Sequence, residues 1–299
     1  MKLSVLIPVY NEQTSVEAIV RRVATMDVAS LGAPVELEII AVDDCSTDAT
    51  TGILARLHGG PAESPSSGPR EAHAEAPGAG SVATATVSVA TTIAMANGRV
   101  NGRSDGLPGE LVDEGAVKGL RVIQHGHNQG KGAAIRTALA AATGDYVIIQ
   151  DADFEYEPAD IPLLLRPLLE EKAQVVYGAR PLDGSGGRWL LDFGNRALTV
   201  ITNLLYGTHL HDMETCYKLL PTALLRSFDL ECSRFDMEPE ITAKVTRSGY
   251  HIHEISISYH PRAGGKKLSA RKDGLPALQA LLRYRNWPPQ MRYQGGADA

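Results

Sequence analysis

Cysteine is scarce in this sequence of 299 residues, which contains only Cys45, Cys216 and Cys232. The three form no Cys-x-x-Cys pair, and an odd number suits neither a disulfide framework nor a zinc site. We therefore interpret them as reduced thiols and expect a cytoplasmic protein. An excess of positive charge is also lacking, since the formal net charge at pH 7 is -6. This balance argues against a general nucleic-acid-binding protein.

Long apolar segments are lacking as well. The apolar run that follows Met1 and Lys2 ends at Pro8, which is too short for an export signal. Residues 77–98 carry no charge but consist mainly of Ala, Thr, Ser, Val and Gly. A membrane-spanning helix is predominantly apolar over about 20 residues, so we predict none there and none at the C-terminus. We expect a cytoplasmic location and leave open peripheral contact with the inner face of the membrane.

Apolar runs alternate with helix-like patterns along most of the chain. The runs are typical of strands buried on both faces and occupy residues 3–9, 37–42, 120–124, 146–150 and 175–178. Helical patterns occupy residues 16–23, 50–57, 131–143, 161–169, 188–205, 238–248 and 273–284. A last alternating segment at 252–259 is typical of a strand. The alternation predicts an α/β fold with a mostly parallel central sheet flanked by helices.

The segment 59–116 interrupts this alternation. It is rich in Gly, Ala, Pro, Ser and Thr, and such a composition cannot bury enough apolar surface to offset its ordering entropy. We predict a low-complexity insertion, with a weak strand pattern at 82–89. The remaining chain is predicted to form a single catalytic domain over 1–285, followed by a disordered tail at 286–299.

Polar clusters follow the predicted strands at the points where the strands end. They occupy residues 10–12, 43–44, 128–131 and 151–155. In open α/β sheets, ligands bind beyond the carboxyl ends of the strands, so these clusters mark the expected site. The first strand is followed by Pro-Val-Tyr-Asn-Glu-Gln rather than Gly-x-Gly-x-x-Gly. A dinucleotide-dependent oxidoreductase is therefore disfavoured.

The triplet Asp151-Ala152-Asp153 carries the clearest chemistry in the sequence. Two carboxylates separated by one residue at a strand end can converge on a hard cation such as Mg²⁺ or Mn²⁺. Such a cation acts as a Lewis acid on a phosphate leaving group. Glu155 lies two residues further on and offers a third oxygen ligand. The alternative is an acidic loop that caps the next helix.

Four strand-end motifs together resemble glycosyltransferase family 2, whose members have the GT-A fold. They are Pro-Val-Tyr-Asn-Glu at 8–12, Asp-Asp-Cys-Ser-Thr-Asp at 43–48, Asn-Gln-Gly-Lys-Gly at 128–132, and Asp-Ala-Asp at 151–153. The resemblance covers residues 1–57 and 118 to about 285. Within the family, the sequence is similar to the dolichyl-phosphate mannosyltransferase-like group of polyprenyl-phosphate glycosyltransferases.

The resemblance implies a donor pocket and a metal site. The donor-binding residues would be Pro8, Tyr10, Glu12, Asp44, Lys131, Asp151 and Ala152. The metal ligands would be Asp151, Asp153 and Glu155, although this group commonly has Gln where Glu155 stands. Two alternatives remain open: the Tyr10 ring packs on its neighbours, and Glu12 complements the N-terminus of a helix.

The second half of the chain supplies the catalytic candidates. They are Arg180, Asp212, Glu214, Arg262 and Lys266. A hydroxyl acceptor needs a general base, for which Asp212 and Glu214 compete, whereas a phosphate acceptor is already ionised. An ion pair of Asp212 with Lys218 is the structural alternative. The resemblance implies that Arg262 and Lys266 belong to a basic loop that closes over the donor phosphates.

The predicted function is inverting transfer of a hexose from a nucleoside-diphosphate sugar to a polyprenyl or dolichyl phosphate. GDP-mannose and UDP-glucose are both reasonable donors, and no nucleic-acid partner is expected. A soluble or polysaccharide hydroxyl is the alternative acceptor. A nucleotide-sugar-binding protein without turnover is a further alternative. The amphipathic helix at 273–284 either lies at an anionic membrane or packs on the catalytic domain, and a membrane-protein partner is a third route to the lipid.

Overall fold

The computed structural model describes residues 1–60, 115–181, 189–261 and 270–293. Two sets of predictions lie outside the described residues. The first is the insertion at 61–114, with the strand pattern at 82–89 and the uncharged stretch at 77–98. The second is the basic loop with Arg262 and Lys266. These therefore stay predictions.

Within the described residues, seven strands form one sheet. The strands are β1 (Lys2–Val9), β2 (Glu36–Asp43), β3 (Leu120–Gln124), β4 (Tyr146–Ile149), β5 (Val175–Ala179), β6 (Lys218–Pro221) and β7 (Ile252–Ser256). Their order across the sheet is β3-β2-β1-β4-β6-β5-β7. β6 is antiparallel to both of its neighbours, whereas the other paired strands are parallel. The predicted α/β class with a mostly parallel sheet is confirmed.

Helices cover the sheet and connect its strands. They are α1 (Val16–Ala24), α2 (Thr50–His58), α3 (Lys131–Ala141), α4 (Ile161–Leu169), α5 (Trp189–Tyr206), α6 (Thr222–Ser227), α7 (Met237–Arg247) and α8 (Ala270–Tyr284), with short 3₁₀ turns at Ala29–Leu31 and Pro158–Asp160. Within the described ranges, no helix combines the length and the hydrophobicity that are needed to cross a lipid bilayer.

The strands carry apolar side chains on both faces of the sheet. Leu6 and Ile7 are consecutive in β1, point to opposite faces, and are both fully buried. Each face is therefore covered, as the continuous apolar run predicts. α1 buries one stripe at helical spacing, namely Val16, Ile19, Val20 and Val23. The packed core thus fixes the positions of the strand ends, and these ends carry the polar clusters.

Two predicted details differ from the structure. α3 ends at Ala141 rather than at 143, three residues before Gly144. A Cβ at Gly144 would lie 2.6 Å from Ser4 Oγ, so this glycine permits close contact with β1. The sequence pattern also missed β6 and α6. β6 is only four residues long and contains the fully buried Lys218, so no apolar run marks it.

The C-terminal part also differs from its prediction. The leucines of α8 do not form one buried stripe: Leu281 is fully buried, whereas Leu275 and Leu282 are exposed. After α8, residues 286–293 pack on the domain rather than forming a disordered tail. Trp287 lies edge-on to Phe228, with ring centroids 5.7 Å apart. Residues 294–299 lie outside the described residues.

Candidate active site

The carboxyl ends of β1, β2 and β4 lie side by side because these parallel strands are neighbours in the sheet. The polar segments 10–12, 43–48 and 151–155 follow these ends directly. β6 runs in the opposite direction, so the segment 212–217 before its start reaches the same edge. The structure thus brings the predicted donor-side and acceptor-side motifs to one edge of the sheet.

Lys131 begins α3 and lies between two carboxylates. Its Nζ is 2.8 Å from Asp151 Oδ1 and 2.9 Å from Glu238 Oε1. The Nζ also faces the ring of Phe235, 5.6 Å from the centroid. Burial lowers the pKa of Lys131, but the charges of Asp151 and Glu238 outweigh it and raise that pKa well above its ordinary value. Lys131 is therefore a fixed positive charge beside the acidic triplet.

Glu238 contacts Lys131, although the predicted site residues do not include it. The position reads as a helix-start acid, and Glu238 does lie in the first turn of α7. Its Oε1 nevertheless accepts from Lys131, and its Oε2 is buried without a hydrogen-bond partner among the described residues. The Phe-Asp-Met-Glu motif at 235–238 is the signal that marks it.

The turn before α3 fits closely against residues 232–233. Gly130 has φ 95°, and a Cβ there would lie 2.3 Å from Ser233 O. A Cβ at Gly132 would lie 2.4 Å from Cys232 O, and the Gly132 N–H donates to Ser233 O at 2.9 Å. Both positions therefore require glycine, which lets the two backbones meet and fixes Lys131.

The Asp44 carboxylate also holds the turn at 129–130, which precedes α3. The carboxylate accepts hydrogen bonds from the N–H groups of Gln129 (2.8 Å) and Gly130 (2.7 Å). His125 Nδ1 lies 2.7 Å from Asp44 Oδ1, and the Asp44 side chain is buried. These contacts favour a positioning role for Asp44 over the predicted contact with the nucleoside.

The end of β1 presents Tyr10 and turns Glu12 inward. Tyr10 is 38% exposed, so its ring is accessible at the edge of the site. Glu12 is buried, and its Oε2 accepts from Ser15 Oγ at 3.0 Å, which agrees with the alternative role at the start of α1. Pro8 lies in β1 and is paired with Val42 of the neighbouring strand β2. Val42 directly precedes the motif at 43–48.

The acidic segment 151–155 offers oxygen ligands, although they do not form a complete cage. Asp151 and Asp153 are partly exposed, and Asp153 Oδ1 accepts from the Glu155 N–H at 3.1 Å. Glu155 Oε2 accepts from Tyr259 Oη at 3.1 Å. Ala152 belongs to the hydrophobic core.

The described part of the chain holds no group of three His, Cys, Asp or Glu side chains arranged to hold a metal ion. The partly exposed carboxylates of Asp151 and Asp153 fit a cation that is held by one or two carboxylates together with substrate phosphates. The metal ligands Asp151, Asp153 and Glu155 stay a prediction.

On the acceptor side, Arg180 and Asp212 form a buried bidentate pair. Arg180 Nε lies 2.6 Å from Asp212 Oδ2, and Arg180 Nη2 donates to Oδ1 at 2.8 Å. The guanidinium faces the rings of Tyr259 and Tyr156, at 5.3 and 6.0 Å from their centroids. The partner of Asp212 is therefore Arg180, not Lys218. Both carboxylate oxygens of Asp212 are engaged, which favours positioning over proton removal.

Glu214 is the other acidic candidate, and its environment differs. Its Oε1 is buried without a hydrogen-bond partner among the described residues. Burial, with the nearby charge of Glu238, raises the pKa of Glu214 to about 8. Lys218 is fully buried, and its Nζ donates to Met213 O at 2.6 Å, while burial lowers its pKa. Glu214 is thus a carboxyl group whose protonation changes near neutral pH.

Solved structures of glucosyl-3-phosphoglycerate synthase from Mycobacterium tuberculosis share this architecture. The complex with Mn²⁺, UDP and glucosyl-3-phosphoglycerate gives a TM-score of 0.61 at 17% identity, over 97% of this chain and 81% of that chain. The complex with Mg²⁺ and UDP gives a TM-score of 0.57 at 18% identity, over 97% and 81%. The fold is therefore the GT-A fold of nucleotide-sugar transferases.

A family assignment follows from the sequence match. The family described as Glycosyl transferase family 2 matches residues 4–65 and 101–227, which is more than half of the chain. The chain belongs to glycosyltransferase family 2, as the strand-end motifs predicted.

Curated relatives carry names from the polyprenyl-phosphate group. A dodecaprenyl-phosphate galacturonate synthase of Rhizobium johnstonii is 24% identical over 265 residues, covering 89% of this chain and 61% of that relative. A dolichyl-phosphate hexose transferase of Haloferax volcanii is 31% identical over 186 residues, covering 62% and 78%. The chain thus spans less than two thirds of the length of the Rhizobium relative. These names support the predicted likeness to the polyprenyl-phosphate group.

Proposed function

We propose that this chain transfers a hexose from a nucleoside-diphosphate sugar to a polyprenyl phosphate, with inversion at the anomeric carbon. The observation that carries the proposal is the ion pair of Lys131 with Asp151, which lies in the acidic triplet at the carboxyl ends of the parallel strands. The names of the Rhizobium and Haloferax relatives support a polyprenyl-phosphate acceptor. A donor of the UDP-glucose type is supported by a Mycobacterium structure that holds UDP-glucose with Mn²⁺, and GDP-mannose is the other candidate.

Asp151 and Asp153 would hold Mg²⁺ or Mn²⁺ on the donor side, with Glu155 as a third oxygen ligand. When bound, such a cation offsets charge on a leaving diphosphate. Lys131 adds a fixed positive charge at the same place, because its Nζ is held between Asp151 and Glu238. The accessible ring of Tyr10 offers an aromatic face to the nucleoside.

On the acceptor side, Arg180 supplies the positive charge for an acceptor phosphate. Asp212 orients the guanidinium through two hydrogen bonds, and Tyr156 and Tyr259 flank it. A phosphate oxygen is already ionised and attacks the anomeric carbon without a protein base. We assign Arg262 and Lys266 to the leaving diphosphate on the family resemblance alone.

Transfer to a hydroxyl group is the second candidate function, and Glu214 is the observation that favours it. A hydroxyl acceptor must lose a proton, and a carboxyl group whose pKa is raised to about 8 is suited to accept it. The Mycobacterium neighbours include a complex with phosphoglyceric acid, a small acceptor rather than a lipid.

Nucleotide release in the presence of defined acceptors separates the two functions. The full chain is incubated with GDP-mannose or UDP-glucose, with Mn²⁺ or with EDTA, and with a short-chain polyprenyl phosphate or phosphoglyceric acid. We expect release of nucleoside diphosphate and a glycosylated polyprenyl phosphate only when both metal and lipid phosphate are present. Transfer to phosphoglyceric acid alone would support the hydroxyl function, and release without any acceptor product would contradict both.

The metal role has its own variant and control. We expect Asp153→Asn to lower kcat/KM about a hundredfold or more, because a charge that stabilises the transition state is lost. Asp229→Asn is the matched control, since Asp229 is exposed and lies in a turn whose φ of 47° asparagine also adopts. Activity of Asp153→Asn that equals that of the control, and that persists in EDTA, would disprove the metal role.

A further inference from the structure

The outer sides of α5 and α8 expose large apolar side chains. Five apolar side chains on these two helices are more exposed than any other large apolar side chain among the described residues. They are Phe193 (67%), Val200 (56%), Leu204 (80%), Leu275 (58%) and Leu282 (54%). An exposed apolar surface on a folded domain marks a place where another surface binds. Neither the donor site nor the acceptor motifs use these side chains.

Helical spacing places these residues on one side of each helix. Phe193, Val200 and Leu204 are seven and four residues apart, and Leu275 and Leu282 are seven apart. The opposite sides face the protein, where Thr202 of α5 is fully buried and Ala277 of α8 is 2% exposed. The two helices pack together, with Tyr206 Oη donating to Leu281 O at 2.6 Å. Two neighbouring helices therefore both present an apolar outer side.

The charge of this surface identifies the kind of partner. Over α5, α8 and the two residues that follow α8, the sequence contains five basic residues and two acidic ones, Asp192 and Asp273. The basic residues within 193–206 and 274–286 are Arg196, Arg283 and Arg285. All three arginines are exposed, and Arg283 pairs with Glu231 at the margin. Arg196 lies between Phe193 and Val200 on the same helix face. An apolar helix face with basic residues is suited to the interface of an anionic bilayer.

α5 also connects this surface to the acceptor side of the site. Thr199 Oγ1 accepts from the Met213 N–H at 3.1 Å. The Asn203 side chain both donates to Leu210 O and accepts from its N–H, each at 2.9 Å. These contacts hold the loop that leads to Asp212, which is paired with Arg180. A bilayer on α5 would therefore lie beside the loop that positions the acceptor-side pair.

We propose that the outer sides of α5 and α8 form a docking surface for an anionic lipid bilayer. The choice of a membrane over a second copy of the chain rests on the proposed lipid acceptor and on the basic charge. Docking would bring the acceptor side of the site to the lipid surface. The sequence pattern predicted a possible membrane role for α8 alone. The structure adds the exposed apolar side of α5 to that surface.

Vesicle flotation of the full chain tests the proposal directly. Vesicles of phosphatidylcholine with phosphatidylglycerol are compared with phosphatidylcholine alone, at low and high salt. We expect flotation with the anionic vesicles and a decrease at high salt. The variant Val200→Glu/Leu204→Glu should bind at least about tenfold more weakly, because apolar contact is lost and negative charge is added. Leu163→Glu, which is 43% exposed on α4, is the control and should float like the unmodified chain.

Two outcomes would overturn docking: equal flotation of the double variant, or no flotation. In the second case, a dimer that the double variant dissociates would identify a second copy of the chain as the partner. Unchanged circular dichroism and melting temperature show that the variants are folded. Transfer to a water-soluble short-chain polyprenyl phosphate is measured in parallel and should not depend on Val200 or Leu204. Transfer without flotation would overturn docking but leave the proposed function intact. Flotation without transfer to any polyprenyl phosphate would overturn the proposed function instead.

Discussion

Lys131 and its two carboxylates show how much a single residue contributes to the site. The Lys131 side chain is 13% exposed and that of Glu238 is 4%, so this ion pair is largely shielded from water. Removing one member of such a pair leaves a buried charge without a partner, which costs more than the pair itself contributes. Lys131 therefore stabilises the fold at the position where we propose that it meets the donor.

We expect Lys131→Met to lower the free energy of unfolding by about 3–5 kcal/mol, because Asp151 and Glu238 lose their shared cation. Urea unfolding followed by circular dichroism measures this change. Lys172→Met is the matched control, since Lys172 also pairs with a glutamate but is 68% exposed. The control should lose less than about 1 kcal/mol. Equal effects of the two substitutions would show that the Lys131 pair is no more important than a surface pair.

Glu214 should make stability fall as pH rises. Its pKa is raised from 4.5 to about 8, so between these values the folded chain holds a proton that the unfolded chain releases. The stabilisation is complete below about pH 4.5 and is lost as pH rises through about 8. The charges that act on this carboxyl are those of Glu238, Lys218, Arg180 and Asp212.

Glu214→Gln should remove this dependence. Urea unfolding at pH 5, 6 and 7 should show the unmodified chain losing up to about 1.4 kcal/mol per pH unit relative to the variant. Glu36→Gln changes an exposed carboxylate, 73% accessible, and should leave the pH dependence as it is. Parallel curves for Glu214→Gln and the unmodified chain would show that Glu214 is ionised throughout this range.

At the scale of elements, the turn before α3 depends on backbone contact with residues 232–233. We expect Gly132→Ala to cost about 2 kcal/mol or more, because its Cβ would lie 2.4 Å from Cys232 O and 2.9 Å from Ser233 C. Gly52→Ala, inside α2 with open space around it, should instead stabilise the helix by up to about 1 kcal/mol. Urea unfolding of both variants checks the pair, and a stability loss at Gly52 matching that at Gly132 would contradict the close-contact explanation.

Strands with long apolar runs were predictable from the sequence, and short or polar ones were not. β1 occupies Lys2–Val9, close to the predicted 3–9, because every residue of a strand inside a covered sheet faces a helix layer. β6 pairs with β4 and β5, which lie at 146–149 and 175–179, so its existence depends on contacts between distant residues. Its buried Lys218 breaks the apolar pattern. Local patterns do not encode such pairing.

The candidate site also has one part that was predictable from local sequence and one part that depends on contacts between distant residues. The position of Asp151 at a strand end follows from the chain order and the parallel sheet. The link between Lys131 and Glu238 does not, because these residues are distant in sequence and Glu238 is typical of a helix start. Asp44 and Asp212 were expected to meet substrates, yet each has its carboxylate engaged by protein donors. A carboxylate in a motif gives the same sequence pattern whether it contacts the substrate or positions other protein groups.

At the scale of the whole molecule, the residues that flank the segment 61–114 lie close together on the domain. The Val117 N–H donates to Leu57 O at 2.7 Å, and a Cβ at Gly59 would lie 3.2 Å from that of Ala116. α2 and β3 are therefore joined where a short connection is sufficient. A helix and the strand that follows it in α/β units are commonly linked by about 2–6 residues. We propose that residues 1–285 form one catalytic domain into which this segment is inserted.

Replacing residues 61–114 by a short Gly/Ser linker should therefore leave the domain folded. The ends already lie together, so the linker adds little strain, and shortening a loop reduces the entropy cost of closing it only slowly with length. We expect the melting temperature to change by less than about 4 °C, which corresponds to about 1 kcal/mol in a domain of this size. Nucleoside diphosphate release should be kept. A linker of the same composition placed between Arg121 and Val122 is the control and should prevent folding, because it interrupts β3. Loss of folding in the first variant would show that residues 61–114 are part of the core of the catalytic domain.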